Sequence, residues 1–107
     1  MIRNRSDAVV RIYGAIEAFA GTLGAIEIVT RERYALLRST RIFADLVVMA
    51  SAVRVAVHLG RTASDPLFFK VVSDRKKVTH VAKLTSAQDV ELIKPYLREA
   101  YDFSLSS

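Results

Sequence analysis

Between Ala25 and Leu59 the apolar residues recur with a period near two, and only the flanking segments recur with the period of a helix. Few folds accept that order. Ile26 and Ile28 flank Glu27, and Tyr34 and Leu36 alternate with Ala35 and Leu37. Ile42 to Ala50 is apolar on both faces except at Asp45, the pattern of a central strand. In Val53 to Leu59, the valines and Leu59 point one way and Arg54, Ala56 and His58 the other. The short link Ala50-Ser51-Ala52 joins the last two strands as an antiparallel hairpin.

The flanks read differently. Val9, Ile12, Tyr13, Ile16, Phe19, Ala20 and Leu23 form one helical stripe, with Ser6 as N-cap and Gly24 as the stop after Leu23. Gly60 to Pro66 reads as a loop, Leu67 to Val72 as a short strand or irregular edge, and Val78 to Leu84 as a further strand. Thr85 to Asp89 offers overlapping capping boxes for a closing helix with the stripe Val90, Ile93, Leu97, Ala100 and Tyr101. Pro95 falls inside that stripe and predicts a kink or false start, with regular helix to about Phe103. Consecutive strands between terminal helices imply an α+β fold. Its sheet is mostly antiparallel, of four to six strands, with both helices on one face. A chain of 107 residues fits one domain, taken as 1–107.

Composition narrows the chemistry. There is no cysteine, which excludes disulfides, cysteine nucleophiles and thiolate metal sites and fits a cytoplasmic location. No apolar run of signal-peptide length follows the basic start, and the longest apolar stretch, Leu46 to Val53, is far short of the ~20 residues of a membrane span. A soluble protein without membrane contact is the expectation. Residues 31 to 77 hold a net +6 and the remainder −1, so the basic character belongs to the sheet and its turns.

The run Ile26-Glu27-Ile28, then Tyr34 to Leu37, then Phe43-Ala44 leading into Val53 to Leu59, resembles the domain of unknown function 5655 family. So does the tail: His80-Val81-x-x-Leu84-Thr85-Ser86, Asp89-Val90, and Leu97-Arg98-Glu99-Ala100-Tyr101. The resemblance covers about residues 10 to 103, the tail being the more specific part. It implies a small bacterial α+β domain, alone or attached to larger proteins, and brings no established activity.

Enzyme signatures are weak. His58, His80 and Asp45 would form a metal set only if their strands brought them together, and no pair has ligand spacing. His80 reads as a strand residue bonded to backbone or a carboxylate, or as part of a pocket rim. Tyr101 reads as a helix core residue whose hydroxyl reaches that rim. Glu27, Asp45 and Lys83 would suit a metal-dependent nuclease, but no Glu-x-Lys tripeptide occurs. Gly-x-Ser-x-Gly and phosphate-cradling glycine loops are absent. A non-enzymatic module without cofactor or metal is the expectation. Above background stands one basic set: Arg31, Arg33, Arg38, Arg41, Arg54 and the turn Arg75-Lys76-Lys77, with Arg61 nearby. Arginine forks donate in pairs to phosphate and carboxylate, although charged strand positions are ordinarily a solvated face. Two functions follow: a module that binds itself as a homodimer or a protein partner, and a nucleic-acid-associated module that uses the basic set. The dimer is motivated by surplus apolar sequence in Ile42 to Ala50 and in Leu67-Phe68-Phe69.

Overall fold

The computed structural model describes residues 6–106. Helix α1 (Asp7–Ala20) precedes four strands, β1 (Glu27–Thr30), β2 (Tyr34–Arg38), β3 (Ile42–Val48) and β4 (Val53–Leu59). A loop leads to β5 (Phe68–Ser73), β6 (Val78–Leu84) and helix α2 (Ala87–Leu105). One six-stranded sheet runs β1-β2-β3-β4-β6-β5, with every neighbouring pair antiparallel. The expected α+β architecture is present, and Leu67 to Val72 resolves into a true edge strand.

The register explains the core. Ala35, Leu46, Val55 and Ala82 lie side by side across β2, β3, β4 and β6, as do Leu37, Ala44, Val57 and His80. All eight are buried. Onto this face pack Val9, Ile12, Ile16 and Ala20 of α1 and Val90, Ile93, Leu97 and Ala100 of α2. At ~25 cal/mol per Å² this shared surface is the main stabilising term of the fold. The opposite face carries Leu36, Asp45, Val47, Arg54, Ala56, His58 and Lys83 and has no helix over it.

Two bulges re-aim side chains. Leu37 faces Ala44 but Arg38 faces Ile42, leaving Phe43 as the extra residue of β3. Phe43 and Ala44 are therefore both buried, and Phe43 meets Tyr101 edge-on at 5.6 Å between centroids. In β5 the slip falls at Phe69. Phe68 closes the core against His80 and Tyr96, whereas Phe69 is 61% exposed. The two adjacent phenylalanines thus have opposite fates.

Three local expectations are refined. Ser6 does cap α1, accepting from the Val9 amide at 3.3 Å, but the helix ends at Ala20. A turn follows, and Gly24 adopts φ 153° beside the Tyr101 hydroxyl. Helix α2 continues unbroken through Pro95 to Leu105. Pro95 is on the exposed side, as is Glu91, whose carbonyl a proline at this position cannot bond. The Ser86–Asp89 capping box is formed.

Candidate functional site

Antiparallel pairing brings four features to one end of the sheet: the β2–β3 turn, the end of β4, the β5–β6 turn and the C-terminus of α2. Between them lies a cleft of about 450 Å³. Its apolar wall is Ile42, Phe43, Ala100 and Phe103. Its polar groups are Arg41, His58, Asp74, Arg75, Lys76, Lys77 and Ser104.

Each cation is placed by local structure. The last carbonyls of α2 have no helical partner, and the β2–β3 turn supplies them. Thr40 donates to the Ser104 carbonyl at 2.8 Å, and Arg41 donates from Nη2 to the Phe103 carbonyl at 2.9 Å. The hydroxyls of Ser39 and Ser104 are bonded to each other. The Arg41 guanidinium lies 4.9 Å over the Phe103 ring, which holds its plane at the cleft wall. Phe103 in turn sits on Gly60, where a Cβ would come within 2.7 Å of the ring. Across the cleft the Asp74 amide donates to the Lys77 carbonyl at 2.8 Å, closing the turn. The Asp74 carboxylate accepts from the Arg75 amide at 2.7 Å. The three cationic side chains are exposed at its tip.

The electrostatics are one-sided. Among the described residues the ion pairs are Arg61–Glu99 and Lys94–Glu91, so no carboxylate sits at contact distance from the four cleft cations. His58 is half-buried, and its Nδ1 lies 3.0 Å from the Thr79 hydroxyl. Burial, and secondarily the Lys77 charge, lower its pKa from 6.5 to about 4, so the ring is neutral at neutral pH. Its Nε2 has no partner among the described residues and is not buried. On the neighbouring open face, burial raises the Asp45 pKa against the opposing pull of Arg54 and Lys77.

The basic set divides in space. Arg41, Arg75, Lys76 and Lys77 line the cleft. Arg38 lies at the same end, opposite Glu27 and Ile42 in the register, but not in the lining. Arg31 and Arg33 sit in the β1–β2 turn at the far end, and Arg54 on the open face opposite Val47 and Lys83. Arg61 is held by Glu99 through two bonds of 2.8 and 2.9 Å.

The other candidates serve the fold. His80 is fully buried. Its Nε2 accepts from the Ala63 amide at 2.9 Å, and its Nδ1 donates to the Val78 carbonyl at 3.1 Å. It pins the loop between β4 and β5 to the core and lies outside the cleft lining. Tyr101 is buried against Phe43 and Gly24 rather than at the cleft. His58 and His80 fall on opposite faces of the sheet, because Val57 and not His58 stands beside His80. Among the described residues no three histidine, aspartate or glutamate side chains gather as a metal set. Asp74-Arg75-Lys76 has an Asp-x-Lys spacing but lies in a turn, away from Glu27. His58 as a cleft residue has no local signature, since only the β4–β6 pairing puts it beside the basic turn.

Among the described residues no helix is long and apolar enough to cross a membrane. No curated protein and no solved structure matches the chain. The sequence model described as Domain of unknown function (DUF5655) matches residues 1–104, in agreement with the helix, antiparallel sheet and helix found here. The chain belongs to the DUF5655 family.

Proposed function

We propose that this domain is a binding module and that its ligand is anionic and enters the cleft at the β2–β3 and β5–β6 turns. One observation carries the reading: Arg41 and the Arg75-Lys76-Lys77 turn, far apart in sequence, converge on one concavity where Asp74 is the lone lining carboxylate and, among the described residues, none of these cations forms an ion pair. Cations left unpaired at a concave site focus the field there and raise the local concentration of anions. Arginine gives the site a planar fork for two oxygens, and lysine gives it point charge. The test is binding of inorganic pyrophosphate to the wild-type chain and to Arg75→Glu/Lys76→Glu/Lys77→Glu at several salt concentrations. The reading requires wild-type binding that weakens steeply with salt and is lost in the variant. Equal binding by both proteins would remove the cleft as the site.

Self-association is a second reading, favoured by β5. It is an edge strand with five of its six residues exposed, including Phe69 at 61%, Val71 at 41% and Val72 at 47%. An unpaired apolar edge is a template for another strand, and a second copy would complete it isologously. Sedimentation of the native chain tests it: a monomer at high protein concentration ends the proposal.

A further inference from the structure

We infer that the ligand of the cleft is a small organic phosphate monoester with an apolar or planar body, and not a run of nucleic-acid backbone. The inference rests on the anion-binding reading above and narrows it.

Three features of the cleft lead there. Its size, about 450 Å³, lies in the range of sites that enclose a single small molecule. Its chemistry is mixed: the cations of the Arg75-Lys76-Lys77 turn share the lining with apolar surface from Ile42, Phe43, Ala100 and Phe103. A bare inorganic anion has no use for that apolar wall, whereas a body attached to the anionic head would be taken out of water there. The third feature is the distribution of positive charge. Single-strand binding needs a basic groove along the backbone and successive stacking platforms. Here Arg31, Arg33 and Arg54 lie away from the cleft, so the basic residues do not line a continuous groove. Among the described residues the cleft cations therefore form a pocket rather than a track.

The charge of the head follows from the turn. Arg75, Lys76 and Lys77 outnumber Asp74, whose carboxylate is occupied by a backbone amide. A phosphate monoester carries about −1.5 to −2 at neutral pH and three acceptor oxygens, which suits this excess better than a carboxylate does. His58 also lines the cleft, and its Nε2, without a partner among the described residues, adds a further hydrogen-bonding atom.

The experiment is an amide-resolved NMR titration of the full chain with three probes: inorganic phosphate, phenyl phosphate and single-stranded oligothymidine. The expected result is that phenyl phosphate shifts the amides of 41–43, 58, 74–77 and 100–104 and binds about tenfold or more tighter than inorganic phosphate. Ile42→Ser, at a side chain 40% exposed, should narrow that gap while the protein stays folded. Equal affinity for the two phosphates would overturn the small-organic-ligand inference and leave the anion site standing. Oligothymidine binding far tighter than phenyl phosphate, with shifts spreading to residues 31, 33 and 54, would replace it with a nucleic-acid surface. Absence of shifts in the cleft with every probe would overturn both readings.

Discussion

Replacing His58 with glutamine should change how the fold responds to acid. The imidazole is half-buried beside Lys77, and its pKa falls from 6.5 to about 4 in the folded chain. Below pH 6.5 the unfolded ring takes up a proton that the folded ring refuses, so stability falls as the pH drops from 6.5 towards about 4. Below that range both states are protonated and the dependence ends. A fully buried ring with this shift would cost ~3 kcal/mol, and partial exposure to water reduces the figure to about 1–2 kcal/mol. His58→Gln keeps a polar partner for Thr79 and removes the titration. Urea unfolding of both proteins across this pH range isolates the effect, because the carboxylate titrations are common to both. The wild type should lose about 1–2 kcal/mol more than the variant. Phosphate in the cleft should shrink that difference by favouring the imidazolium. Parallel pH profiles for the two proteins would refute the placement of His58 in a desolvated, cationic surrounding.

Further outcomes follow from other contacts. Gly24→Ala should destabilise the fold by about 2–4 kcal/mol, through its positive φ and the overlap of the new Cβ with the Tyr101 hydroxyl; thermal unfolding checks it, and adding Tyr101→Phe should recover part of the loss. His80→Ala should cost about 2–4 kcal/mol by leaving a cavity beside Phe68 and an orphaned Ala63 amide, and hydrogen exchange should show that amide losing protection. Phe69→Lys should change stability by no more than ~0.5 kcal/mol, since the ring is exposed; if β5 pairs between copies, sedimentation should move from dimer to monomer.

Most of the fold was legible because its signals are local. Alternation in Val53 to Leu59, the stripes of the two helices, Ser6 as a cap and the Ser86–Asp89 box each depend on neighbours within a few residues. What escaped was set by long-range pairing. The bulges that bury Phe43 and expose Phe69 arise from register against β2 and β6, which one strand's sequence does not encode. Helix α2 runs through Pro95 because the position faces water, a fact of packing. The site was legible by residue type and not by place. The arginines and the Arg75-Lys76-Lys77 turn stand out in the chain, yet their division into a cleft group and scattered members depends on β6 lying beside β4. The same pairing sends His58 to the cleft and His80 to the core.

Everything proposed for this domain depends on the cleft being an anion site. Crystals of the domain grown with tungstate, a dianion that scatters anomalously, test it most directly. An anomalous peak is expected between Arg41 and the Arg75–Lys77 turn, within hydrogen-bonding distance of both, and lost in Arg75→Glu/Lys76→Glu/Lys77→Glu. Tungstate bound instead at Arg31 and Arg33, or an empty cleft at saturating tungstate, would contradict it.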